Sequence, residues 1–91
     1  MESHKSDIVL SLKGRDKGML LLVLDEDDTC LYLANGRQRR AESPKRKKRA
    51  HVSHQGACDE KTREKLLAAG KLSNSDIRKA LALWTGETGS D

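Results

Sequence analysis

The sequence predicts a mainly β protein: a small half-open barrel of about five strands with a basic loop, residues 1–56, and a C-terminal two-helix segment, residues 57–91, packed on the barrel. Three observations predict it. Short apolar or alternating runs, broken by glycine, asparagine and acid-rich turns, fill the first part of the chain. From Asp59 the apolar residues switch to helical spacing. The length of 91 residues makes one domain, which buries only about 60–65% of the surface of its unfolded chain and so has room for a small core.

The first strand is predicted in DIVLSLKG, where Ile8, Val9, Leu10 and Leu12 precede Gly14. GRDKG then places Arg15, Asp16 and Lys17 between two glycines, a tight turn with charge on display. MLLLVL follows, apolar at both parities, as expected of a strand covered on both faces whose outer face receives the helices. DEDD, Asp25–Asp28, is the loop of a hairpin whose return arm is TCLYLA. Asn35-Gly36 offers the positive-φ residues of a type I′ turn, so a further strand is expected from Arg37 through Ser43, with Gln38 and Arg40 on one face and Arg37 and Arg39 on the other. Pro44 lacks a donor and ends that strand or marks a sheet edge. Lys45–Arg49 is then a loop, AHVSH a last short strand with Val52 inward, and Gln55–Ala57 a linker.

Two helices close the chain. DEKTREKLLAAG puts acids in its first turn and ends on Gly70, a suitable C′ residue. SNSDIRKALALW opens with Ser73 three residues before Asp76, an approximate capping box, and sets Ile77, Leu81 and Trp84 on one face. With Leu66 and Leu67 these form an apolar stripe. TGETGSD is expected to fray.

The net charge of +4 conceals an asymmetry. Residues 1–36 carry −3, residues 37–51 carry +7 and residues 59–91 balance to zero. All the positive excess therefore sits in fifteen residues, the footprint expected of a protein that binds a polyanion with strong salt dependence. No run approaches the roughly 20 apolar residues of a membrane span, and MESHKSDIV has neither the basic start nor the apolar run of a signal peptide. A cytoplasmic monomer is expected, with Cys30 and Cys58 reduced.

Other chemistry finds little support. The DEDD acids crowd at a solvated turn, which gives no reason for a shifted pKa, and GRDKG lacks the ending of a phosphate-binding P-loop. Neither an enzyme nor a cofactor is expected. His51, His54, Cys58 and Cys30 could in number supply a zinc site, but their spacing is not the paired one of structural zinc, and no metal is assigned. The chain has no Phe, one Tyr and one Trp, too few for a platform that stacks unpaired bases, and Tyr32 and Trp84 are expected in the core. PKRKKR also fits a nuclear localisation signal, a weaker reading.

In that setting DIVLSLKGRDKGMLLLVLDED resembles the KOW motif of RNA-binding and ribosomal proteins: strand, glycine-basic-glycine loop, apolar strand. The order that follows, ANGR, PKRKKR and the histidine of AH, is similar to the KOW-type large-subunit ribosomal proteins of archaea and eukaryotes. It is also similar to the free-standing KOW-domain RNA-binding proteins of Gram-positive bacteria, whose appended helical segment resembles LSNSDIRKAL. The likeness spans Ser6–His54 and Leu72–Leu81. The chain departs from the pattern at Met19, Leu20 and Leu21, where many KOW loops carry a further glycine. The resemblance implies an SH3-like barrel that binds RNA, in many members ribosomal RNA, through the first loop and adjacent basic surface.

Charge and resemblance together lead to one expectation: recognition of structured RNA through phosphate contacts, with rRNA of the large subunit as first candidate and ribosomal proteins as second neighbours. The chain would be a ribosome constituent or a translation-associated factor. The expected contacts are Lys13, Arg15 and Lys17 in the first loop, Arg37, Arg39 and Arg40, and the tethered loop Lys45, Arg46, Lys47, Lys48, Arg49 with His51. Replacing residues 45–49 by serine should remove RNA affinity and spare the fold. The competing class is a protein-interaction adaptor that uses the barrel or the helices, with RNA binding secondary.

Overall fold

A computed structural model describes residues 3–86. Five strands form one antiparallel sheet in the order β4-β3-β2-β1-β5: β1 Asp7–Ser11, β2 Leu20–Glu26, β3 Cys30–Ala34, β4 Lys45–Lys48 and β5 Val52–Ala57. Helices α1, Glu60–Ala69, and α2, Asn74–Thr85, follow. The mainly β class and the two C-terminal helices are as predicted; of residues 85–91, expected to fray, Thr85 instead ends α2 and Gly86 caps it, and residues 87–91 lie outside the described residues.

The sheet is strongly rolled, and its connections require it. Strands β4 and β5 lie at opposite edges, each antiparallel to its neighbour, so both run the same way. Only a single 3-10 turn, Arg49–His51, joins them. A chain of that length reaches at most about 14 Å, whereas four strand spacings in a flat sheet span about 19 Å, before the return along the strand is counted. The end of β4 and the start of β5 are therefore brought together by curvature. Register shifts between Ile8 and Val9 against β5, and between Val23 and Asp25 against β3, supply the local twist that bulges give.

Strand β2 is covered on both faces, as its apolar run predicts. Leu21 and Val23 join Val9, Leu31 and Leu33 in one buried cluster, with Val52 packed against it. Leu22 joins Ile8, Ala34, Cys58, Leu66, Leu72, Ile77 and Ala80 in a second, made between the outer face of the sheet and the helices. Asp59 caps α1 through Thr62 N, Gly70 ends it in the left-handed region, and Ser73 and Asp76 form a true capping box at α2. The predicted stripe is narrower than expected: Leu67 is 56% exposed, and Trp84, 41% exposed, lies against the backbone of β5. A Cβ on Gly56 would fall 2.5 Å from the Trp84 ring, so glycine there makes room for the indole. Gln55–Ala57 is thus strand rather than linker.

Two further expectations are corrected. Residues 37–43 are not a strand. The Asn35 side-chain oxygen accepts from Arg37 N and Arg39 N at 2.9 and 3.0 Å, while Asn35 N and Gly36 N donate to Arg39 O. This local knot uses the hydrogen bonds a hairpin arm would need. The loop is then fastened to α2: Asn74 accepts from Ala41 N at 2.7 Å and donates to Glu42, and Arg78 Nη1 donates to Gly36 O at 2.7 Å. The basic run, in turn, is not a loop but β4 itself. An edge strand needs a partner on one side only and tolerates lysines, whose stems cover apolar surface while their heads stay in water. Pro44, with no N–H to offer, sits directly before it.

Candidate nucleic-acid interface

The first loop owes its shape to glycine. Gly14 and Gly18 both adopt positive φ, and Gly18 N closes the loop on Ser11 O at 2.9 Å. The closure turns Asp16 inward and leaves Lys13, Arg15 and Lys17 exposed. Asp16 is the residue that sequence reasoning missed, since it reads as one charge among four in a turn. It is 2% exposed, and its Oδ1 accepts from Ser11 Oγ and from Lys47 Nζ, both at 2.8 Å. Lys47, 7% exposed, also donates to Lys13 O at 2.6 Å. Burial acts to raise the Asp16 pKa, but the Lys47 and Ser11 hydrogen bonds and the Lys47 charge outweigh it and hold the carboxyl below its ordinary value. A buried ion pair thus staples the first loop to β4.

Because side chains alternate along a strand, β4 divides its charges. Lys47 stands opposite Leu31 and points into the fold, whereas Arg46 and Lys48, opposite Tyr32 and Cys30, are exposed. With Lys13, Gly14, Lys45, Lys47 and His51 they line one shallow basin of about 340 Å³. Arg15 and Lys17 are exposed in the loop that contributes its Lys13 wall. Among the described residues, no carboxylate lies within salt-bridge distance of Lys13, Arg15, Lys17, Lys45, Arg46 or Lys48.

The other expected contacts are not brought to this basin. Arg49 is committed to the fold: its guanidinium donates to Glu26 Oε1 at 3.0 Å, to Ser3 O at 2.6 Å and to Asp27 O at 2.8 Å. Glu26, which burial would raise, is held low by bonds from His4, Lys5 N and Arg49. Arg39 lies 3.7 Å from Asp16 Oδ2, Arg40 pairs with Glu42 at 3.0 Å, and Arg37 lines a separate groove beside Arg78 and Leu81. Serine replacement of all of residues 45–49 would therefore damage the fold, contrary to expectation, because Lys47 and Arg49 are structural.

Among the described residues, no three His, Cys, Asp or Glu side chains converge as metal ligands. His54 Nδ1 lies 2.9 Å from Ser3 Oγ, and Cys30 and Cys58 are buried free thiols. Burial, then the nearby Asp59, pushes Cys58 up to about 11. At the acidic hairpin Asp27 accepts from Cys30 N and Thr29 N, bonds that hold its carboxyl low and make it a turn residue. Tyr32 is half-buried rather than core; its hydroxyl donates to Asp27 Oδ2 at 3.1 Å, and it raises the pKa of Arg46 beside it. No helix among the described residues is long and apolar enough to cross a membrane.

No protein-family model matches the chain, and no curated protein is significantly similar to it.

Proposed function

We propose that the chain is an RNA-binding module of the KOW type, an SH3-like barrel that docks on structured RNA, ribosomal RNA first among candidates, by gripping phosphates. The observation that carries this reading is the single basin where the first loop and β4 meet, ringed by Lys13, Lys45, Arg46, Lys48 and His51. Two segments far apart in sequence are held together by a buried ion pair whose effect is to fix the spacing of exposed cations. A fixed set of cations loses less freedom on settling against a phosphate backbone than a loose basic tail would. The 3-10 turn that returns β4 to β5 beside β1 supports the SH3-like reading of the rolled sheet. Five exposed cations and the half-buried Lys45 predict a log-log salt slope of about −5 for duplex RNA. Changing Lys13, Arg46 and Lys48 together to serine should flatten that slope by about 2–3 while thermal unfolding stays unchanged. A slope untouched by the triple change would defeat the reading.

The adaptor reading draws on Leu67 and Leu83, exposed on α1 and α2. An apolar interface there would bind its partner with little response to salt, so the same titration separates the two.

A further inference from the structure

Beside the cationic basin lies a second concavity of about 210 Å³, walled by Leu24, Tyr32, Pro44 and Leu72, with the exposed Asp25 and Lys71 at its rim. It is formed where the loop before β4 and the turn between α1 and α2 approach β2 and β3. Its size is below the range of pockets that hold whole drug-sized molecules, and its lining sets Tyr32 and apolar side chains beside the charged Asp25 and Lys71, so it suits one small flat group that also carries polar atoms. Tyr32, the single tyrosine of the chain, is already positioned: its hydroxyl is tied to Asp27, which fixes the ring before anything binds. Arg46 joins the two concavities. It lines the basin, and it is the direct cross-strand partner of Tyr32, so the two side chains leave the sheet on the same face.

We infer that this groove seats one unpaired nucleobase of the bound RNA, stacked on Tyr32, while Arg46 holds the adjoining phosphate. The inference rests on the phosphate-binding reading of the basin and adds to it a preference for RNA with a bulged or looped-out nucleotide. A flat heteroaromatic joined to an anion matches a slot walled by Tyr32 with Arg46 and Lys71 beside it, and the Asp25 carboxylate at the rim is already answered by Lys5 at 3.6 Å; an aliphatic side chain of a protein partner would use neither cation. The small number of aromatics suits this economy, since one base needs one ring.

The test uses the full chain and two RNA hairpins that are identical except for one bulged adenosine, compared by fluorescence anisotropy at one fixed salt concentration. Wild type should bind the bulged hairpin about tenfold more tightly. Tyr32→Leu should erase that difference, and Tyr32→Phe, which keeps the ring and loses only the bond to Asp27, should retain it. A photoreactive base at the bulge should crosslink to Tyr32 or Pro44, a measurement that needs no variant to fold. Equal wild-type affinity for the two hairpins, a preference that survives Tyr32→Leu, or a crosslink mapped elsewhere overturns the base seat and leaves the phosphate reading standing. Binding of neither hairpin overturns both.

Discussion

Two basic segments, residues 37–40 and 45–48, have similar charge and opposite fates. The first is a loop, knotted by Asn35 and seated on α2, whose arginines point to Glu42, toward Asp16 or into a groove beside Arg78. The second is an edge strand that puts one lysine inside the fold and sets Arg46 and Lys48 on the rim of a basin. The difference lies in the backbone. Where N–H groups are taken by a side chain, charge is scattered; where they join a ladder, the period of two sorts charge into buried and exposed sets.

The largest effect expected from breaking this arrangement falls on the buried pair. Asp16→Ala leaves Lys47 without its partner and should cost about 3–5 kcal/mol in denaturant unfolding, while Asp16→Leu with Lys47→Met should recover most of it. The pair also gives the fold an acid limit. The folded pKa of Asp16 lies below its unfolded value of about 3.9, so the contribution is complete above that pH and drains away as pH falls through the depressed value. Unfolding followed from pH 5 to pH 2 should show a decline that the apolar double variant has lost in part. An Asp16→Ala protein as stable as wild type would remove the staple from the account.

Next comes the seat of the loop. Gly36 has φ +78, and a Cβ there would stand 2.6 Å from Asn74 O, backbone that cannot swing aside. Gly36→Ala should cost about 2–4 kcal/mol, from the left-handed conformation and the clash together. Gly18→Ala, also at positive φ but with open space around it, should cost about 1–2 kcal/mol. Similar losses at the two positions would mean that the loop is not docked on α2 as described.

Gly36 also marks where the sequence was legible and where it was not. Asn35-Gly36 signals positive φ at both positions; Gly36 adopts it and Asn35 does not, and a glycine at positive φ serves a hairpin turn and a knot under a helix alike. Only the contact with Asn74 and Arg78, some forty positions away, separates them. What is local could be read: the two-faced apolar run of β2, the Ser73–Asp76 box and the Gly70 cap all follow from neighbouring residues. In the candidate site the exposed cations Lys13, Arg46 and Lys48 were visible as charge. The buried role of Lys47 was not, because it depends on Asp16 across two strands and on a strand that composition alone presents as a solvated tail.

A smaller effect is expected at the junction of the helices. Lys65 and the Ser73 N–H hold the Asp76 carboxyl down at about 2. Lys65 is more than half exposed, so solvent screens its share, and Asp76→Asn should cost about 1 kcal/mol at neutral pH, mostly as a weakened cap. Since this folded pKa too lies below the unfolded one, the advantage of wild type over the variant should shrink between pH 4 and pH 2. A gap that stays constant across that window would show that the charge on Asp76 is not what the cap uses.

The smallest effects on stability divide the two basic segments most sharply by function. Arg37→Ser on the docked loop and Arg46→Ser or Lys48→Ser on β4 all change exposed side chains, and each should leave unfolding within about 0.5 kcal/mol of wild type. Their effects on RNA binding should differ in kind. If the basin grips phosphates as proposed, each β4 variant removes one contact and should reduce the salt slope by about 1, uniformly across duplex sequences. Arg37→Ser removes a charge that lies outside the basin and should lower affinity only through the long-range field, an effect that fades once the Debye length falls below about 8 Å. Salt titrations of the three variants side by side therefore ask whether position on the sheet matters or only total charge. If all three shift the slope equally, the basin has no privilege and the cationic surface acts as a diffuse cloud.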